Sequence, residues 1–140
     1  MSVLLIALGC LPFVFGGLLN GYMMQHMDKT PPFLLINLLF IALWFAIAIC
    51  FRPHMESTGK TVRWLNLVPF VVLVVLAVQE LIVGAYWPNV VGQYTQYFYL
   101  PMLFLGFRLT AWVGSVFMAY VASFGLMVAV SVLACRCWEK

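Results

Sequence analysis

The stretch FLLINLLFIALWFAIAICF, residues 33–51, contains no charged residue and only one strongly polar side chain, Asn37. About 20 consecutive apolar residues form a helix long enough to cross the ~30 Å hydrocarbon core of a bilayer. The apolar residues are continuous rather than alternating, and a lipid-exposed backbone must satisfy its own hydrogen bonds, so a helix is favoured over a strand. The stretch therefore predicts a membrane-spanning helix.

Three further apolar runs occupy most of the remaining chain, at residues 3–24, 64–86 and about 109–134. Hydrophobic residues make up 66% of the sequence and charged residues 8%, whereas soluble domains carry about 25% charged residues. The loops between the runs are too short to hold a second domain. We therefore predict an all-α integral membrane fold, a four-transmembrane-helix bundle that forms a single domain over residues 1–140.

The region before the last predicted span is too long to belong to that span. Residues 100–135 would measure ~54 Å as one helix, so a short interfacial segment is expected at residues 101–107. The preceding residues 86–99 contain no charge and several tyrosines. Tyrosine favours the headgroup boundary, so this loop is expected to lie on the membrane surface.

The distribution of positive charge predicts the orientation, because cytoplasmic loops of membrane proteins are enriched in lysine and arginine. With a cytoplasmic N-terminus, five cations would lie inside and two outside, which predicts that both termini are cytoplasmic. The net charge of +3 reflects this bias, and the absence of a basic stripe argues against nucleic-acid binding. The inner set is Arg52, Lys60, Arg63, Arg136 and Lys140, and the outer set is Lys29 and Arg108.

Glu80 is the sharpest candidate for chemistry, because a carboxylate inside a membrane span is costly and is by default a functional hypothesis. It follows Gln79 and lies about 9 Å below the outer end of the third run if the run is helical. One interpretation is an ion- or proton-coupling site. The alternatives are a buried ion pair with Arg108, a contact with a partner subunit, and exposure to water.

Small residues predict close contacts between helices, since association in lipid relies on tight packing. Gly17 and Gly21 form a GxxxG element in the first run. A second stripe recurs at every fourth position of the last run: Ala111, Ser115, Ala119 and Ser123. This stripe is expected to pack either within the chain or against another subunit.

Two weak metal-ligand patterns occur at opposite ends of the predicted bundle. Thioether and imidazole side chains suit Cu(I), and the first group combines Met23, Met24, His26 and Met27. The second is Cys135 with Cys137. Together the two groups would suit the passage of copper, but methionine is common in membrane helices and no second methionine cluster lies at a matching depth, so neither a metal nor another cofactor is predicted. All four cysteines fall in the predicted inner half, which argues against structural disulfides.

Sparse polar chemistry indicates a non-catalytic protein. The sequence contains no aspartate pair, no His–Glu helix motif and no CxxC motif, and catalysis needs several convergent groups. The leading interpretation is an accessory or structural subunit of a larger membrane complex, with the bilayer and other membrane subunits or further copies of the chain as partners. The alternative is a small oligomeric transporter or channel with Glu80 as its coupling residue. A third possibility is a sensor or regulator that acts through the basic loop at residues 52–63.

Overall fold

The computed structural model describes residues 1–139, and within them it consists of helices and short connections, with no strand. The predicted all-helical class is confirmed. The helices are α1 (Ser2–Gly9), α2 (Leu11–Gln25), α3 (Phe33–Phe51), α4 (Thr58–Leu65), α5 (Leu67–Ala77), α6 (Val90–Phe98), α7 (Leu100–Leu109) and α8 (Val116–Trp138). A 3-10 turn (Arg52–His54) follows α3, and a π-helix (Val78–Val83) continues α5.

Three of the helical stretches are long and apolar enough to cross a membrane: α1 with α2, α3 with its 3-10 turn, and α8. A fourth candidate consists of α4 followed by α5 and the π-helix, which pass the same test together but are bent by 48°. Residues 1–139 therefore contain three such helices, or four if the bent pair is one span.

Prolines explain the breaks in two of these stretches: the one formed by α1 and α2, and the bent one formed by α4, α5 and the π-helix. Proline has no backbone N–H, so the carbonyl four residues before it loses its helical donor. Pro12 removes the donor for Leu8 just before the break between α1 and α2. Pro69 does the same for Leu65, and α4 ends there. The bend at Asn66 therefore follows from the sequence, because the hydrogen-bond ladder is interrupted at that point.

Helices α3, α7 and α8 pack against one another at the centre of the molecule. Trp44, Met102 and Met127, one from each of these helices, are almost completely buried. On the far side of α7, α2 packs against α6 and α7, and α6 also contacts α5. Since these interior positions are filled by large side chains, the helices hold one another through continuous apolar contact.

The short helix α6 differs from the sequence-based expectation, whereas α7 is the separate short segment expected before the last helix, and its position at a membrane interface stays a prediction. Residues 86–99, predicted as a surface loop, form α6 over most of their length, and α6 lies against α2 and α5. Residues 101–107, predicted as an interfacial segment, belong to α7 and lie against α3 and α8. Phe98, Tyr99 and Met102 are buried, whereas Val91 of α6 and Phe107 of α7 are exposed, so each helix packs one face against the bundle and leaves another apolar face open.

Two helix boundaries also differ from the predicted spans. The bent stretch begins at Thr58 rather than at residue 64, because Ser57 caps α4 by accepting a hydrogen bond from the Lys60 N–H at 3.3 Å. The last helix begins at Val116 rather than at residue 109. Gly114 has a φ of +67°, a conformation that glycine adopts without a steric penalty, and it separates the turn after α7 from the start of α8.

Candidate functional site

Gln79 and Glu80 lie in the π-helix that follows α5. Its wider turn is closed at Gly84, whose N–H donates to the Gln79 carbonyl five residues earlier and whose φ is +72°. Single π-helical turns inside α-helices are rare and are frequent at functional sites. Gln79 is buried while Glu80 is partly exposed, so the two neighbouring polar side chains occupy different environments.

The Gln79 amide joins the π-helix to α6. Its Nε2 donates to the Thr95 hydroxyl at 3.1 Å, and its Oε1 accepts from the Trp87 N–H at 2.9 Å. Thr95 in turn donates to the Gly92 carbonyl at 2.8 Å. Both ends of the buried amide are therefore used, which gives Gln79 a structural role in holding α6 against the bundle.

The Glu80 carboxylate faces tyrosines rather than a cation. It lies within electrostatic range of the hydroxyls of Tyr86 and Tyr120, and the Tyr86 hydroxyl is buried. Within the same residues Glu80 forms no ion pair. Arg108, the predicted partner, is exposed, and its guanidinium lies 5.3 Å from the centre of the Phe104 ring. The predicted Glu80–Arg108 pair is thus not formed in this structure.

In two helix contacts, a glycine lies close to a carbonyl oxygen that lacks its helical N–H donor because a proline stands four residues later. A Cβ added at Gly16 of α2 would lie 1.9 Å from the Tyr97 carbonyl oxygen, and Pro101 stands four residues after Tyr97. A Cβ added at Gly9 of α1 would lie 2.8 Å from the Leu65 carbonyl oxygen, which Pro69 leaves without its helical donor. Each glycine therefore lets its helix approach a carbonyl oxygen that a Cβ would overlap.

A third close approach joins α7 to α8 at Gly106. A Cβ added there would lie 2.4 Å from both the Ala119 carbonyl oxygen and the Ser123 Oγ. Ala119 and Ser123 are completely buried. These two members of the predicted small-residue stripe therefore pack within the chain, against a glycine that sequence reasoning did not single out.

The other two members of that stripe are not on the helix. Ala111 and Ser115 precede Val116, where α8 begins, so the four residues do not form one continuous helical face. The prediction failed because it extended the last helix through the turn at residues 110–114, where Thr110 ends α7. A substitution at Ala119 would disturb the bundle itself and is unsuitable for testing contacts with another subunit.

The predicted GxxxG element faces away from the bundle. A Cβ added at Gly17 or Gly21 would meet no atom within 4 Å in the part of the chain that the structure describes. The same holds for Gly125 on α8, and Ala129, one turn later, is exposed. Helices α2 and α8 therefore each carry an outward pair of small residues. We call these pairs, Gly17 with Gly21 and Gly125 with Ala129, the open faces.

The methionine and histidine cluster does not converge on a common point. Met24 and Met27 are exposed, and the His26 ring stacks on Tyr22 at 4.5 Å while its Nδ1 lies 3.1 Å from the Tyr22 carbonyl oxygen. Met23 is partly exposed. The arrangement places one imidazole nitrogen in a local helix contact, which leaves a weaker ligand set than the sequence suggested.

Cys135 and Cys137 lie on different sides of α8. Cys135 is completely buried with its Sγ 3.9 Å from the Ala48 carbonyl oxygen, whereas Cys137 is exposed. Residues two apart on a helix do not face each other, so this geometry does not support a shared dithiolate site. Among residues 1–139, no three His, Cys, Asp or Glu side chains converge as a metal site.

The turn after α3 is tied to the end of α8 by an ionic contact. The Arg52 guanidinium forms an ion pair with Glu139 at 2.7 Å and donates to the Met55 carbonyl at 3.0 Å. The Thr58 hydroxyl also donates to the Glu139 carboxylate. These contacts, with the Thr58 hydrogen bond as the larger cause, hold the pKa of Glu139 below its ordinary value. The basic loop is thus used in part to close one end of the bundle.

No protein-family model, curated protein or solved structure matches this chain.

Sequence reasoning missed Gly16, Gly106 and Thr95, which carry closer contacts than the residues that it selected. Proline positions offered one usable signal, because each proline identifies the carbonyl that needs a contact from outside its own helix. Which neighbouring residue would supply that contact depends on how the helices are rotated, and no local pattern encodes this rotation.

Proposed function

We propose that this chain is a multi-pass membrane protein with four spans and both termini in the cytoplasm. The three long apolar stretches and the bent fourth support this proposal. Large apolar side chains are exposed on every one of them, including Leu18, Leu39 and Leu133, and a soluble monomer rarely exposes such extensive apolar surface. The five-to-two distribution of cations in the sequence supports the orientation.

Within the membrane, we propose a non-catalytic role as an accessory or structural subunit that packs against other membrane helices. The open faces carry this proposal. At every glycine that packs tightly inside the bundle an added Cβ would meet backbone, whereas a Cβ added at Gly17, Gly21 or Gly125 would meet no atom of a neighbouring helix within 4 Å in residues 1–139. Glycine in a helix costs about 1 kcal/mol relative to alanine, and in lipid such positions allow a neighbouring helix to approach closely.

The use of the buried polar groups supports a structural rather than a catalytic interior. Gln79 binds Thr95 and the Trp87 N–H, as described above. The Asn37 Oδ1 accepts from the Leu105 N–H at 3.0 Å, which joins α3 to α7. These amides hold helices together instead of converging on one cavity, whereas an active site needs convergent groups.

The test is a double substitution, Gly17→Leu with Gly21→Leu, in the tagged protein purified from its native membrane. The added side chains point into open space, so the bundle should retain its thermal stability while a partner subunit or second copy is lost from the purified complex. Val71→Leu with Val74→Leu is the control, because both valines are exposed on α5 and carry no small-residue face. A complex that survives the glycine substitutions would contradict the proposal.

A second candidate function is a small oligomeric transporter or channel in which Glu80 couples an ion or proton. The specific observation in its favour is a carboxylate in a π-helix, beside the buried Tyr86 hydroxyl. The measurement is proton or cation flux in vesicles that contain the purified protein. Glu80→Gln should abolish this flux without unfolding the protein, whereas persistent flux in the variant would exclude this candidate.

A further inference from the structure

A cavity of about 230 Å³ lies where the bend between α4 and α5 meets α8. Its walls combine one cation, one buried amide and several apolar side chains. Arg63 and Asn66 lie on the side of the bend, and Phe70, Phe124 and Val128 provide most of the apolar surface. The cavity therefore has the two-part character of a site for a molecule with an anionic end and a hydrocarbon end.

The orientation of the Asn66 amide is determined by its partners. The Nδ2 donates to the Val62 carbonyl at 2.9 Å and to the Ser131 Oγ at 3.0 Å. A carbonyl can only accept, and the Ser131 hydroxyl already donates to the Met127 carbonyl at 2.8 Å. The amide cannot be rotated without losing both bonds, so the position of the Oδ1 is fixed as well.

The Asn66 Oδ1 is an acceptor in need of a donor. Asn66 is 5% exposed, and its Oδ1 has no hydrogen-bond partner within residues 1–139. A buried polar atom without a partner is costly, most of all in an apolar surrounding. Phe70 lines the cavity together with Asn66, is half exposed, and has its ring centre 6.0 Å from that of Phe124.

Arg63 supplies the cation at the same cavity. It is exposed, and among the described residues it forms no ion pair, whereas Arg52 and Lys60 are both paired with glutamates. Arg63 precedes Asn66 by three residues, about 4.5 Å along a helix. Its planar guanidinium suits a phosphate group, which it can bind through two parallel hydrogen bonds.

We propose that this cavity binds a single-chain anionic phospholipid, that is, a lysophospholipid. Its phosphate contacts the Arg63 guanidinium, its free glycerol hydroxyl donates to the Asn66 Oδ1, and its hydrocarbon chain lies along Phe70, Phe124 and Val128. A two-chain phospholipid has an ester in place of that hydroxyl, and an ester only accepts hydrogen bonds, so it would leave Asn66 without a donor. This inference rests on the membrane placement proposed above but does not involve Gly17 or Gly21.

Native mass spectrometry of the intact protein in detergent, titrated with oleoyl lysophosphatidic acid, measures the binding directly. Dioleoyl phosphatidic acid serves as the matched two-chain probe. We expect the single-chain lipid to bind at least about tenfold more tightly, since it alone offers a hydroxyl donor to the buried acceptor and has no second chain to accommodate. Equal affinity for the two lipids would overturn the assignment of a single-chain ligand.

Two variants test the place of binding. Arg63→Gln removes the cation, and Val128→Phe fills the cavity from α8. Each should weaken binding about tenfold or more, while Arg108→Gln, which removes another exposed cation, should leave the affinity unchanged. Wild-type affinity in both test variants would overturn the site. Displacement of the lipid by inorganic phosphate alone would overturn a lipid as the ligand. The complex tested through Gly17 and Gly21 should remain intact in Arg63→Gln, so failure of one proposal is distinguishable from failure of the other.

Discussion

Gly16 and Gly17 are neighbours on α2, yet they belong to two different kinds of surface. Gly16 lies so close to the Tyr97 carbonyl that no side chain fits between them, whereas an added Cβ at Gly17 would meet nothing within 4 Å in residues 1–139. Gly16 packs α2 against α6, and Gly17 lies on an open face. The comparison shows that the same residue type packs inside the bundle or faces outward according to its angular position on the helix.

Helix α8 repeats the distinction. Ala119 and Ser123 are buried against Gly106, while Gly125 and Ala129 are exposed. Both pairs have the four-residue spacing that is typical of close helix contacts. The spacing therefore identifies helix surfaces able to pack closely, and only the arrangement of neighbouring helices separates the inner pair from the outer one.

The largest expected difference in stability is between alanine substitutions at Gly16 and at Gly17. Gly16→Ala places a methyl group 1.9 Å from a backbone oxygen, so α2 and α6 must move apart, which should cost at least about 3 kcal/mol of unfolding free energy. Gly17→Ala should leave stability unchanged or raise it by up to about 1 kcal/mol through helix propensity. Reversible unfolding in mixed detergent micelles measures both. Equal stability of the two variants would contradict the distinction between an inward Gly16 and an outward Gly17.

The α7–α8 contact provides the next largest effect. Gly106→Ala adds a Cβ 2.4 Å from the Ala119 carbonyl oxygen and the Ser123 Oγ. Ser123 can rotate away but the carbonyl cannot, so we expect a loss of about 1–3 kcal/mol. Gly125→Ala on the open face of α8 is the matched control and should not destabilise the protein. The same unfolding assay applies, and a tolerated alanine at residue 106 would argue against this close contact.

A smaller effect is expected for the polar contact between the π-helix and α6. Gln79→Leu leaves the Trp87 N–H without its side-chain acceptor and removes the bond to Thr95, which should cost about 1–2 kcal/mol. Gln93→Leu, at an exposed position of α6, should stay within about 0.5 kcal/mol of wild type. Amide hydrogen exchange across residues 90–98 should accelerate in the first variant alone. Unchanged exchange there would show that Gln79 does not hold α6.

The smallest effect concerns the ionic contact at the end of α8. Since the pKa of Glu139 is lowered in the folded state, its contribution to stability is complete above the ordinary glutamate pKa of about 4.3 and is lost as the pH falls below it. Wild type should therefore lose more thermal stability than Glu139→Gln between about pH 6 and about pH 3.5. Asp28→Asn is the control, because Asp28 is exposed in the turn between α2 and α3 and forms no ion pair among residues 1–139. An identical pH response of wild type and Glu139→Gln would show that the Glu139 contact does not contribute to stability.

Predictability differed between the long and the short elements. The run at residues 33–51 coincides with α3, and the run at residues 3–24 coincides closely with α1 and α2. Helices α6 and α7 were not predicted as packed elements. Their lengths are below that of a membrane span, so the apolar signal is weak, and their burial depends on partners that are distant in sequence, such as Gly16 for Tyr97 and Asn37 for the Leu105 N–H.

The candidate site was predictable only as single residues. Glu80 stood out because it is a carboxylate in an apolar run, yet its neighbours Tyr86 and Tyr120 and the π-helical backbone around it were not apparent. The cavity at Arg63 and Asn66 had no signal, because it unites the bend after α4 with a face of α8 more than 50 residues later.

The sequence by itself determined that the chain is helical, where its long helices lie and where two of them break. These properties depend on hydrogen bonds between residues four apart and on the N–H that proline lacks, so they are local along the chain. The tertiary structure alone decided which glycines pack, which amides join helices and which acceptor at Asn66 has no partner among the described residues. The physical reason is that helices with apolar residues on all sides leave their own rotation undetermined, and only contacts with neighbouring helices select it.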